Sequence, residues 1–106
     1  MDINEKLEKA KSKKYYKWEF FYERHNPQLG VHTHSSTVIA ATEAEAIRLA
    51  KKYCDGGCYG YNYFDHLGEK KLLEYGKDYI LKIEQEYNES TDRYYAPKVV
   101  AEKVYH

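Results

Sequence analysis

Between residues 16 and 23 the aromatic side chains Tyr16, Trp18, Phe20 and Tyr22 alternate with Lys17, Glu19, Phe21 and Glu23. A period of two is that of a strand with one face turned toward a core. Asn26-Pro27-Gln28-Leu29-Gly30 follows, a turn in which proline fixes one backbone angle and glycine frees another. The next run, Val31 to Ala41, is rich in the β-branched residues Val31, Thr33, Thr37, Val38 and Ile39. It matches the first run in length, so the two predict a hairpin.

The period then changes. Thr42-Glu43-Ala44-Glu45 has the form of a capping box, in which the threonine hydroxyl accepts from the third helical amide. Ala46, Ile47, Ala50, Tyr53 and Cys54 make one stripe of a helix over about 43–54, and Asp55-Gly56-Gly57 stops it. Near the start, Ile3, Leu7 and Ala10 fall at i, i+4 and i+7, with Asp2 as cap. So thin a stripe predicts a marginal helix within residues 1–14 that docks or frays. Beyond the main helix, Tyr59-Gly60-Tyr61-Asn62-Tyr63-Phe64 alternates, Asp65-His66-Leu67-Gly68 is expected to turn, and Lys71 to Tyr75 to form a short strand. Tyr79 to Tyr87 predicts a half-buried strand, Asn88 to Asp92 a polar turn, and Arg93 to Tyr105 a strand interrupted by Pro97, as at an edge or bulge. The expected fold is α+β, one domain over residues 1–106. Its expected architecture is a single antiparallel sheet of four to six strands, with the 43–54 helix on one face and a short N-terminal helix.

Composition adds one feature to this pattern. The 106 residues include 13 Tyr, 3 Phe and 1 Trp, more phenols than one small core accommodates with every hydroxyl partnered. Some tyrosines are therefore expected at a surface that binds something. The 17 Lys+Arg balance 17 Asp+Glu, which argues against a dedicated, strongly basic nucleic-acid binder. No apolar run approaches the roughly 20 residues that span a bilayer. With no charged-then-apolar leader and only two cysteines, the expectation is a cytoplasmic protein with reduced thiols and no membrane partner.

Several constellations bear on chemistry. His32-x-His34 with Cys54-x-x-x-Cys58 is the set that would hold zinc through two imidazoles and two thiolates, although three intervening residues depart from the usual tight knuckle. As a redox pair the cysteines are ill placed, because Cys54 sits at a helix C-terminus, where the dipole opposes a thiolate. His25, His32, His34 and His66 are candidate bases, but no nucleophile elbow, zinc-protease helix or phosphate-binding glycine loop accompanies them. No catalytic residues are assigned and no cofactor is expected beyond that zinc alternative.

Tyr59, Tyr61 and Tyr63 share one strand face and form a candidate stacking platform, for which Lys51, Lys52, Lys70 and Lys71 would contact phosphates. Against a nucleic-acid partner, residues 43–92 carry eleven acids and seven bases. The alternative for these rings is core. The acidic stretch with Glu84, Glu86, Glu89 and Asp92, followed by Tyr94 and Tyr95, has the make-up of a protein interface, aromatic anchors with a charged rim. An exposed strand edge offers a second route, to a partner strand or a homodimer.

The stretch Ser36-Thr37-Val38-Ile39-Ala40-Ala41-Thr42-Glu43-Ala44-Glu45-Ala46-Ile47-Arg48-Leu49-Ala50 resembles the strand-then-helix signature of small phage and plasmid accessory proteins of the DpnD/PcfM-like group. The resemblance spans residues 17–54 at most and carries over no functional residues. A short Lys/Glu/Tyr-rich chain of this kind is also similar to anti-CRISPR and other anti-defence proteins, which act by binding. The reading this supports is a non-enzymatic small binding protein, a phage- or mobile-element-encoded inhibitor of a host defence protein. Its partner-binding residues would be Tyr59, Tyr61, Tyr63, Tyr94, Tyr95 and the Glu84–Asp92 segment. A nucleic-acid or nucleotide-binding module and a zinc-stabilised interaction module are the alternatives.

Overall fold

The computed structural model describes residues 2–55 and 61–105 of the chain. They form an α+β structure that divides into two compact units, Tyr15–Leu72 and the pair of segments Met1–Lys14 and Leu73–His106.

The first unit is a three-stranded sheet carrying one helix. Strands β1 (Tyr15–Asn26) and β2 (Gly30–Ala40) form the expected hairpin, antiparallel and in unbroken register from Tyr16↔Ala40 to Asn26↔Gly30. Asn26 Oδ1 accepts from the amides of Gln28 and Leu29, and Gly30 takes φ +85°, a left-handed conformation that glycine adopts without steric cost. Strand β3 (Tyr61–Leu73) lies on the other side of β1, giving the order β2-β1-β3. His25 meets Tyr63, Phe21 meets His66, and Lys70 reaches the rings of Tyr16 and Trp18. Numbers that rise along β1 fall along β3, so this pair is antiparallel too.

Helix α2 (Glu43–Asp55) covers one face of the sheet. The Thr42 hydroxyl accepts from the Glu45 amide at 3.3 Å, and the Glu45 carboxylate also binds the guanidinium of Arg48 at 3.0 Å. Ala46, Ala50 and Cys54 are buried one turn apart, and these small side chains let the helix approach Trp18 and Phe20 closely. Phe20 is 0% exposed, and the buried indole of Trp18 donates to the carbonyl oxygen of Ala40 at 2.9 Å.

In the second unit, α1 (Ile3–Lys11) is a formed helix, capped by Asp2, whose side chain accepts from the Glu5 amide at 2.8 Å. The thin stripe does not fray because it docks: α1 packs against β4 (Tyr79–Glu84) and β7 (Lys98–Lys103), with Ala10 buried. Strands β4 and β7 pair antiparallel, Tyr79↔Lys103 to Glu84↔Lys98. Between them, β5 (Tyr87–Asn88) and β6 (Arg93–Tyr94) make a small hairpin across the expected 88–92 turn, and Pro97 separates β6 from β7.

Two expectations are corrected. The described strands divide among one three-stranded and two two-stranded sheets, where a single sheet was expected. The segment Asp65–Gly68 does not turn; it continues β3 through a bulge. Asn62, Phe64 and Leu67 are half-buried, and Phe64 and Leu67 both pack on the helix-side core, whereas Tyr63 and His66 both meet rings on the opposite face. Strict alternation cannot place 64 with 67 and 63 with 66, so one extra residue is accommodated at Asp65–His66.

Candidate functional site

The register of β1 and β2 decides what faces outward. Trp18 and Phe20 pack under α2, so Lys17, Glu19, Phe21, Glu23 and His25 lie on the opposite face, with their direct partners Ile39, Thr37, Ser35, Thr33 and Val31 beside them. From β3, Tyr63 and His66 reach the same face. No element of this unit's described residues covers it.

This open face carries a row of rings. His25 and Tyr63 meet edge to face at 4.8 Å, and Phe21 and His66 stack at 4.8 Å with 20° between planes. Tyr61, two residues from Tyr63 on the same strand side, is 69% exposed, and Tyr63 is 54% exposed. Val31, the direct partner of His25, extends the apolar surface onto β2 and is itself exposed. Carboxylates fix the imidazoles: Glu23 Oε2 lies 3.0 Å from His25 Nε2, and Asp65 Oδ2 lies 3.3 Å from His66 Nδ1. With Glu19, these acids form an anionic rim around the rings.

At the other end of the face, Lys17, Glu19, Thr37, Glu69, Lys70 and Lys71 line a shallow depression. Lys71 is eight residues along β3 from Tyr63, ~26 Å in an extended strand. Lys70 only borders this depression: its ammonium lies 4.8 Å from the centre of the Tyr16 ring and 5.2 Å from that of Trp18, a cation–π contact with aromatics of the helix-side face. Lys51 and Lys52 belong to α2, on the opposite side of the sheet from Tyr61 and Tyr63. The lysines of the nucleic-acid constellation and its tyrosines are therefore not brought together. Tyr59 lies outside the described residues.

The zinc set is not assembled by what is described. His34 stacks on Tyr22 at 5.6 Å, and His32 lies 6.5 Å from His34 with its Nε2 against the Leu29 carbonyl oxygen. Cys54 is buried with Phe20 and Ala50; burial and then the charge of Asp55 push its thiol pKa up, away from the thiolate a metal or redox reaction needs. Among the described residues no three His, Cys, Asp or Glu converge on a metal position, and Cys58 lies outside them.

In the second unit, the Glu84–Asp92 segment and Tyr94–Tyr95 form a local network. Lys82 bridges Glu84 at 3.3 Å and Glu102 at 3.4 Å, and these bonds raise its pKa. The Tyr87 hydroxyl donates to Asp92, which raises the phenol's pKa, and the Tyr87 and Tyr94 rings meet at 5.2 Å. Tyr95 accepts from the Asn88 side-chain amide at 2.8 Å, and its backbone amide donates to the Glu86 carbonyl oxygen at 2.7 Å. Glu84 thus pairs within β4, and Asp92, Tyr94 and Tyr95 make contacts within the hairpin; all of them, with Glu89, remain exposed.

The sequence does not single out Phe21 or Val31 for the site, and it marks His25 and His66 only as candidate bases, not as members of a ring row. The available signal was Phe21 itself, an aromatic ring among the charged side chains of the strand's polar face. No helix of the described residues is long and apolar enough to cross a membrane. Comparison with protein-family models, curated proteins and solved structures gave no match to this chain.

Proposed function

We propose that this chain is a non-catalytic binding protein whose open sheet face seats a protein partner presenting cationic and apolar side chains. One observation carries the reading. Tyr61 and Tyr63 project from the face that α2 leaves uncovered, continuous with the Phe21–His66 and His25–Tyr63 ring contacts and rimmed by Glu19, Glu23 and Asp65. Rings held by neighbouring rings lose little freedom on binding, and acids around them favour a basic partner. The same rim disfavours a phosphate backbone, whose attraction needs cations beside the rings. The narrower form, a mobile-element-encoded inhibitor of a host defence protein, rests only on the resemblance of residues 36–50 and on size and composition.

The test immobilises the wild-type chain and its Tyr61→Ala/Tyr63→Ala variant and compares the proteins each retains. Capture by the wild type that is lost in the variant and weakened by salt supports the reading, provided the variant's thermal midpoint stays within a few degrees. Binding of single-stranded oligonucleotides at low salt that requires the same two tyrosines would replace it with the nucleic-acid reading.

A further inference from the structure

The two outer strands of the three-stranded sheet protect their edges very differently. An edge strand presents unpaired amide and carbonyl groups to any other strand, and folded proteins usually blunt it with charges, prolines or bulges. Strand β3 has such devices: the bulge at Asp65–His66 and the charged Asp65, Glu69, Lys70 and Lys71. Strand β2 has none of them. Its eleven residues Gly30–Ala40 include no Asp, Glu, Lys, Arg or Pro, and its register with β1 is unbroken by any bulge. Every residue from Gly30 to Ser35 is exposed, and so is Thr37. Its composition, Val, Thr, Ile, Ser and His, is that of a strand poised to pair.

We infer that β2 pairs antiparallel with β2 of a second copy, joining two three-stranded sheets into one continuous six-stranded sheet. The argument for a second copy as the occupant is charge. A two-fold axis through the exposed span sets each β2 residue opposite one from the same uncharged strand, so no like charges are juxtaposed. An axis at Thr33 places His32 opposite His34 of the partner subunit on the helix-side face, and Thr33 against its own equivalent on the open face. A twofold perpendicular to the sheet also keeps both open faces on one side, so the pairing leaves Tyr61 and Tyr63 uncovered. The inference therefore stands apart from the proposed function and does not depend on it.

Sedimentation velocity over a dilution series is expected to show a monomer–dimer equilibrium. Hydrogen exchange at the two ends of that series is expected to show amide protection rising with concentration within residues 30–37 and unchanged across β3. Thr33→Lys/Ser35→Lys places four ammonium groups at the seam and is expected to shift the chain to monomer, its circular dichroism unchanged because both sites are exposed. A wild-type chain that stays monomeric at the highest concentration overturns the inference, as does a dimer whose added protection lies outside β2. Should the double variant fail to fold, the exchange pattern of the wild-type chain decides alone.

Discussion

Gly68 of β3 lies directly beneath the ring of Phe21: a Cβ built on this glycine would stand 2.8 Å from Phe21 Cε2 and 3.0 Å from Glu19 Oε1. The absence of a side chain there is what lets Phe21 lie down on His66 and lets the bulged strand close against β1. Gly68→Ala forces the ring to move. Overpacking of this kind costs ~1–3 kcal/mol, offset in part by the ~0.5–1 kcal/mol that alanine gains over glycine in a strand. The expected net loss is about 1 kcal/mol in urea unfolding, with the Phe21 and His66 ring resonances shifted. An unchanged midpoint with unshifted resonances would mean that the ring has room to spare.

Trp18 couples the hairpin to the helix through packing and through one hydrogen bond. Its indole donates to the Ala40 carbonyl oxygen at 2.9 Å inside the core, at the end of β2 just before the chain enters α2. Trp18→Phe keeps a ring but removes the buried donor to this carbonyl. Together with the lost volume this costs about 2–4 kcal/mol, read as a lowered urea midpoint by circular dichroism. The isosteric loss at an exposed ring, Tyr61→Phe, should change the midpoint by less than ~0.5 kcal/mol.

The β1–β2 hairpin and α2 were legible because their signals are local. Alternation from Tyr16 to Tyr22, the Asn26–Gly30 turn and the Thr42 cap each act within a few residues of themselves. Gly68 was read as a turn because glycine marks both turns and close approaches, and only the distant Phe21 decides between them. Likewise the period of two placed Tyr61 and Tyr63 on one face but could not say which face α2 would cover. That choice depends on which side of β1 carries Trp18 and Phe20 and on a bulge at Asp65–His66 with no residue signature of its own. Whether α1 docks or frays was open for a related reason: its stripe is too thin to stand alone, and the β4–β7 pair that holds it comes from the far end of the chain.

Besides Lys82 and Tyr87, whose hydrogen bonds raise their pKa, three groups bind their protons more tightly in the folded chain chiefly because of burial. Burial raises the pKa of Tyr22 above its ordinary 10.0, helped by its hydrogen bond with Tyr53; burial raises that of Tyr79, helped by Tyr75; and burial raises the Cys54 thiol above 9.0, helped by Asp55. A group whose folded pKa lies above its unfolded value contributes stability that is whole below the unfolded pKa and is lost as pH climbs through the folded one. Stability should therefore be insensitive to these groups near neutrality. It should fall from about pH 9, where the unfolded thiol begins to ionise, and more steeply above 10. Tyrosinate absorbance followed with circular dichroism checks this: two of the phenols should ionise only together with loss of structure. Smooth titration of all thirteen before any unfolding would contradict it.

Asp92 closes the β5–β6 hairpin in a conformation that few side chains accept. Its φ is +53°, and its carboxylate accepts from the Tyr87 hydroxyl across the turn, while Asn88 Oδ1 accepts from the Ser90 amide at the other end. Aspartate and asparagine tolerate the left-handed region because a short polar side chain can bond locally, whereas alanine meets the usual ~1 kcal/mol clash. Asp92→Ala combines that clash with loss of the acceptor, Asp92→Gly removes the clash but also the acceptor, and Asp92→Asn keeps both features without the charge. The expected order of hairpin stability is wild type, then Asn, then Gly, then Ala. The Tyr95 amide, which donates to the Glu86 carbonyl oxygen at 2.7 Å beyond the paired residues, reports it: its exchange should quicken in that order while amides of β1 and β2 are unaffected. If the glycine variant exchanges as slowly as the wild type, the backbone angle alone sets this turn and the Tyr87 bond adds nothing to it.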